Sequence, residues 1–171
     1  LAAAGLLLAA EGLISATVLF LNRSQRQGEW NAVVASTYRG HYVICGLGQF
    51  GTVLCEGLHQ AGIEVVVIDV DDDTAGVRTA RQRGIPVILG DMSLQETLNE
   101  ANVQNACCVI LCGGDDLANI EAAVAAKELN PRADVRARVY KKSLADRISD
   151  ALNSDITMFS PYAEAAATLL G

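Results

Sequence analysis

Residues 42–69 read YVICGLGQFGTVLCEGLHQAGIEVVVID: a strand, a turn, a helix and a second strand in one pass. An apolar run from Tyr42 to Cys45 leads into Gly46-x-Gly48-x-x-Gly51, then a helical pattern, then a second apolar run ending at Asp69. Gly46 permits the tight turn off the first strand. Gly48 leaves room for a pyrophosphate against the backbone, and Gly51 lets the helix pack closely on the strand. The helix N-terminus presents free N–H groups and the positive end of its dipole. Asp69 follows Gly51 by 18 positions, close to the ~20 expected of a carboxylate that grips ribose hydroxyls. Three glycines at this spacing often arise by chance. Here a β-branched strand precedes them, an amphipathic helix follows, and an acid closes the next strand. The competing reading is a glycine-rich turn beside an empty pocket.

At 171 residues the chain fits one domain with a full core and one appendage. Apolar residues make up 51% but aromatics only 5%, so the core is built of Val, Ile, Leu and Ala. That composition suits a parallel sheet covered by helices. A net charge of −7 argues against nucleic acid as a partner, because phosphate binding needs a basic face. The five cysteines are Cys45, Cys55, Cys107, Cys108 and Cys112, with no CxxC pair. All but Cys55 fall in expected buried strands and read as reduced core thiols of a cytoplasmic domain, not disulfides or a zinc site. The chain opens at Leu1 without a methionine and reads as part of a longer protein.

Residues 1–21, LAAAGLLLAAEGLISATVLFL, carry one charge, Glu11. As a helix they would reach about 30 Å, the thickness of a bilayer core, and are expected to be the end of a transmembrane helix. The linker 22–39 holds Arg23, Arg26 and Arg39 against Glu29, the positive cuff expected on the cytoplasmic side of a membrane. Trp30 and Tyr38 are candidate interfacial anchors. The alternative for 1–21 is a soluble helix buried between subunits. The globular part begins near Arg39–Gly40, and His41 opens its first strand as an ordinary strand-end residue.

From there strand and helix alternate. The first helix, about 50–61, is expected to bury Val53, Leu54, Leu58 and Ala61 and to stop at Gly62. IEVVVIDV forms the second strand, and Asp71, Asp72 and Asp73 then compensate the dipole of a helix over 74–83 or load a cation. Arg78, Arg81 and Arg83 read as its solvated face, with Gly84 as its stop. PVILGD, 86–91, is the third strand. Ser93 and Glu96 form a capping box for the next helix. CCVILCG, 107–113, is the fourth strand. Gly113, Gly114, Asp115 and Asp116 lead into a helix striped by Leu117, Ile120 and Val124 and ended by Pro131. DVRARVYK follows as the fifth strand, then a helix capped by Ser143 and Asp146 with Leu144, Ile148 and Leu152 inward. ITMFS is the sixth strand, and Pro161, after Ser160 as cap, starts a last helix that runs to Gly171.

Six strands joined by five right-handed helical crossovers give an α/β fold, a Rossmann-like doubly wound parallel sheet in the order 3-2-1-4-5-6, with the apolar helix at its N-terminus. Ligands bind such sheets where the order reverses, at the carboxyl ends of strands 1 and 4. The Gly46 and Gly113 loops are therefore expected to face each other across one crevice.

With these motifs placed, residues 41–160 closely resemble the N-terminal lobe of the domains that regulate potassium conductance, the RCK or TrkA-N family. The matching residues are GHYVICGLGQFG, VVVID ending at Asp69, GDMS at Gly90–Ser93, GGDDLAN at Gly113–Asn119 and ARV at Ala137–Val139. The resemblance implies that Asp69 and Asp91 contact the adenosine half of a nucleotide. It places Asn119 in the crevice-side loop and brings Arg138 to the phosphates, of its own or a neighbouring subunit. With Gly46, Leu47, Gly48, Gln49, Phe50, Gly51, Val70, Met92 and Gly113, these make up the candidate binding set. The resemblance further implies a homodimer or higher ring of lobes packing or exchanging helix 161–171, and a membrane pore or transporter subunit as partner. The lobe, 40–160, would then sit in the cytoplasm beneath the inner membrane. No selectivity-filter sequence is present, and no C-terminal ligand-binding lobe follows Gly171.

The function expected is a regulatory nucleotide-binding module controlling a potassium channel or transporter through a dimer hinge. The alternative is an NAD-dependent oxidoreductase fragment without its substrate domain. Hydride transfer needs an acid or base beside the nicotinamide, and the only histidines, His41 and His59, lie at a strand start and late in a helix. A purely structural lobe leaves Gly46, Gly48, Gly51 and Asp69 unexplained together. Asp69 would repel a 2′-phosphate, which disfavours NADP. NAD(H) is preferred because the three-glycine turn suits a dinucleotide pyrophosphate; ATP or ADP presents the same ribose.

Overall fold

A computed structural model describes residues 28–140 and 155–162, together with Ser143, Ala165 and Thr168. Six strands form one parallel sheet: β1 (Tyr42–Cys45), β2 (Val65–Asp69), β3 (Val87–Leu89), β4 (Cys108–Leu111), β5 (Asp134–Arg138) and β6 (Ile156–Phe159). Their order is β3-β2-β1-β4-β5-β6, the doubly wound arrangement predicted. β1 runs through the middle, with Ile44 opposite Val67 on one side and Ile110 on the other. A parallel sheet is covered on both faces, so its central strands admit almost nothing polar. Val43, Ile44, Cys45, Val66, Val67, Val109 and Leu111 are all fully buried.

The described helices are α1 over residues 28–37, then α2 (Gln49–Gln60), α3 (Ala75–Gln82), α4 (Gln95–Glu100) and α5 (Asp116–Leu129). α2 and α3 cover one face of the sheet through Cys55, Val77 and Ala80. α4, α5 and α1 cover the other through Leu98, Ala122, Ala123, Ala126 and Ala35. α2 stops as expected at Gly62, whose φ of +76° brings its N–H onto His59 O and the Ile63 N–H onto Leu58 O. Gly84 ends α3 in the same way, at φ +73°.

Several local expectations are corrected. The buried face of α5 is Asn119, Ala122, Ala123 and Ala126. Leu117 and Val124 are exposed instead, Leu117 to 62%, and Ile120 is half-buried. A face of methyl groups lets the helix backbone lie close to β4 and β5, where larger side chains would hold it off. In α2 the buried residues are Gly51 and Cys55, with Leu54 and Leu58 half-buried and Val53 and Ala61 exposed. The close approach of Gly51 sets the rotation of that helix. Cys107 is exposed just ahead of β4, while Cys55 is buried.

The Ser93–Glu96 capping box does not form. Ser93 turns its hydroxyl to Asp91 Oδ1, at 2.8 Å, and the N-cap position falls to Leu94 without a side-chain bond. Thr74 caps α3, accepting from the Val77 N–H at 3.1 Å, and the acidic triplet lies ahead of the helix. Asp72 pairs with Arg81, Asp73 with Arg78 at 2.6 Å, and Glu56 with Arg83 at 3.1 Å, so these arginines are partnered rather than merely solvated. Within the expected linker, residues 28–37 are helical and docked on the body. Tyr38 is half-buried against the core, with its ring edge-on to His41 at 5.9 Å. The expected apolar helix 1–21, the Ser143–Asp146 box with its Leu144, Ile148 and Leu152 stripe, and most of helix 161–171 lie outside the described residues. No described helix is long and apolar enough to cross a membrane.

Candidate functional site

At the carboxyl ends of β1, β2 and β4 the connecting loops diverge and leave a crevice of about 670 Å³, within the usual ~300–1,000 Å³ of small-molecule sites. Behind its wall two loops touch. Gly46 takes φ +90°, and a Cβ built on it would lie 2.9 Å from Gly113 N. Gly51 stands behind it, where a Cβ would lie 2.0 Å from Gly46 O. Both positions need glycine for the fold itself.

Gly48 does not. Its φ of −65° is open to any residue, and a Cβ there meets nothing within 4 Å. The space over Gly48 is the crevice. This glycine also occupies the N-cap position of α2, where it has no side chain to satisfy the first N–H groups, and the first turn carries no acid. The N-terminus of α5, by contrast, is capped by Asp115, which accepts from Leu117 and Ala118 N–H. Of the helices opening on the crevice, α2 is the one left ready for an anion.

Asp69 is nearly buried at the end of β2. Its Oδ2 accepts the Leu47 N–H at 2.6 Å and its Oδ1 the Asp71 N–H at 3.0 Å. The carboxylate thus ties the glycine turn to the β2–α3 loop and retains lone pairs toward the crevice. Arg138, from the end of β5, lines the opposite wall and donates to Gly113 O. Asn119, fully buried in α5, donates through Nδ2 to Gly113 O at 3.0 Å and Arg138 O at 2.9 Å. It thereby fixes the β4–α5 loop against β5. Cys112 lies in the crevice wall, and burial pushes its thiol up to about 12 despite the opposing pull of Arg138.

Of the expected binding residues, Leu47, Gly48, Gln49, Asp69, Val70, Gly113 and Arg138 line the crevice. Gly46, Gly51, Met92 and Asn119 stand behind its walls: a Cβ on Gly113 would lie 2.7 Å from Met92 Cε and 2.8 Å from Asn119 Oδ1. Phe50 packs against Phe159, with ring centroids 5.7 Å apart. Asp91 is exposed at the end of β3, and bonds from the Ser93 N–H and hydroxyl hold its carboxyl below the usual range. The sequence reading missed Thr52, Val53, Thr74, Ala75, Gly76 and Thr79, which form the α2–α3 side of the crevice. Gly76 was the available signal: a Cβ there would lie 2.4 Å from Thr52 Oγ1 and 2.5 Å from Leu47 O, so this second helix too packs on the turn by way of a glycine.

Known proteins share this fold and sequence. Potassium channel protein 1 of Methanocaldococcus jannaschii is 30% identical over 108 residues, 63% of this chain and 32% of that protein. The TrkA-N domain of the inner membrane protein ybaL from Escherichia coli superposes with a TM-score of 0.68 at 25% identity, covering 78% of this chain and 96% of that one. The GsuK channel bound to NAD shares the fold at a TM-score of 0.61 and 20% identity, over 73% of this chain and 22% of that one. This chain spans about a third of the length of the potassium-channel relatives it matches. The family model for the TrkA-N domain matches residues 42–158, from the first residue of β1 into β6, and the chain belongs to the TrkA-N domain family.

Proposed function

We propose that the chain is a non-catalytic nucleotide-binding domain that regulates a potassium channel or transporter from the cytoplasmic side of the membrane. The observation that carries the nucleotide is Gly48. The fold has no need of glycine there, and the helix it opens is uncapped and free of acids. A pyrophosphate over Gly48, adenosine ribose on Asp69 and Arg138 toward the phosphates use the crevice from end to end. NAD(H) is the preferred ligand, since the intact three-glycine turn suits a dinucleotide, and GsuK of the same fold is described bound to NAD. ATP or ADP is the alternative, carrying the same adenosine half. Regulation requires that the ligand bind two arrangements with different affinity; a homodimer or ring of lobes, hinged between subunits and joined to a membrane pore, supplies them.

The oxidoreductase reading lacks its acid–base chemistry. His41 is buried at the start of β1 with Nε2 on Ala101 O at 3.1 Å, and His59 sits in the last turn of α2. Both lie at the far end of the sheet from the crevice.

Calorimetric titration of the chain with NADH, NAD, ATP, ADP and NADPH in parallel tests the proposal. Binding of NADH or NAD with NADPH at least about tenfold weaker is expected. No binding by any of the five overturns it.

A further inference from the structure

The linker helix α1 is fastened to the body by amides that the crevice does not use. Asn102, 5% exposed, stands at φ +57° between α4 and the 3₁₀ turn Val103–Asn105. Its Nδ2 donates to Ala35 O and to Tyr38 O, each at 3.0 Å, and its Oδ1 accepts from Asn105 Nδ2 at 2.7 Å. The last carbonyls of a helix have no N–H ahead of them. Ala35 O takes the Tyr38 N–H at 3.1 Å, and Asn102 adds a second donor to it from 67 residues away. The Gly40 N–H adds a bond to Asn105 O at 2.8 Å. From the other side Asn130, at the end of α5, donates to Val103 O and Ala106 O, both at 3.0 Å.

The 3₁₀ turn is therefore gripped between α1 and α5. Both elements attached to it reach the crevice at their other ends: β4 runs on into Cys112 and Gly113, and the first turn of α5 carries the Asn119 amide that holds Gly113 O. We propose that Asn102 is the joint that makes α1 move as one piece with the crevice wall, carrying nucleotide occupancy into the linker. The transmitted signal rests on the nucleotide-binding function proposed above; the joint itself rests on the hydrogen bonds just given.

The experiment uses hydrogen exchange of the full 171-residue chain, with and without NADH, together with the anisotropy of Trp30, the only tryptophan and an exposed residue of α1. Asn102→Gly keeps the left-handed backbone and removes the amide; Asn102→Asp keeps the shape and turns a donor toward carbonyls into an acceptor. In both variants α1 amides are expected to exchange about tenfold faster and Trp30 anisotropy to fall, with β1 and β4 still protected. NADH affinity stays within about twofold of wild type, and the NADH-dependent change in α1 exchange disappears. Wild-type protection of α1 in both variants overturns the joint, as does an NADH effect on α1 that survives its loosening. If the wild-type chain binds no nucleotide, the proposed function fails, while the contrast in α1 protection still decides the role of Asn102.

Discussion

Asp69 Oδ2 accepts the backbone N–H of Leu47 at 2.6 Å, so the acid expected to hold a ribose also holds the turn expected to hold phosphates. Its other oxygen takes the Asp71 N–H. Asp69→Asn leaves one oxygen for two donors and turns an NH₂ group toward one of them. The loss should be about 1–3 kcal/mol of stability, the cost of an unsatisfied buried donor, and weaker binding of every adenine nucleotide. Urea unfolding and calorimetry on the same variant measure both.

Gly48 and Gly51 separate binding from folding. Gly48→Val should cost only about 1 kcal/mol, the preference for glycine over valine at an N-cap, since nothing in the protein meets its Cβ, and should abolish nucleotide binding by filling the phosphate's space. Gly51→Ala should destabilise by about 1–3 kcal/mol, as overpacking does, because its Cβ would lie against Gly46 O. Nucleotide bound tightly by the Gly48→Val protein would refute the placement of the pocket.

His41 makes stability depend on pH. Burial lowers its pKa below the ordinary 6.5, and Arg39 adds to this, against the bond to Ala101 and the charge of Glu64. Its Nδ1 has no hydrogen-bond partner. Between the folded value and about 6.5 the unfolded chain binds more protons. The His41 contribution is therefore complete above that range and lost as pH falls through it. Urea midpoints taken from pH 7.5 to 5 should drop for the wild type more steeply than for His41→Gln.

The cysteines divide by access. Burial raises Cys55 to about 11, Cys108 and Cys112 to about 12, and Cys45 higher still, so these four stay protonated and covered at neutral pH. Cys107 alone of the five is exposed. A thiol reagent at pH 8 should modify one cysteine rapidly in the native protein and all five in urea. Rapid modification of more than one would contradict the burial of Cys45, Cys55, Cys108 or Cys112.

The strand order, the glycine turn and Asp69 were legible in the sequence because each is written locally: β-branched runs, glycine spacing, and an acid at a strand end. Helix orientation was not. Leu117, Ile120 and Val124 have the spacing of a buried stripe, yet the alanines of α5 win the contact because smallness, not hydrophobicity, sets how near a helix can come. Ser93 had a partner in Glu96 by spacing and a nearer one in Asp91. α1 reads as linker because it is short, opens on Gly28 and ends in Ser36 and Thr37, and because the amide that ties its C-terminal end to the body, Asn102, lies far along the chain. The α2–α3 side of the crevice, Thr52 to Thr79, was missed because close approach of two helices leaves no periodicity to read.

The meeting of Gly46 and Gly113 has a consequence for recognition. Where these loops touch, beside the crevice, main chain meets main chain, without rotamers to freeze. The wall of the crevice at Gly113 is thus braced from behind by backbone, and a ligand there gives up less ordering entropy than in a pocket of free side chains alone. Under the proposed function, selectivity then falls to lining side chains such as Asp69 and Arg138, each of which already has a partner to exchange.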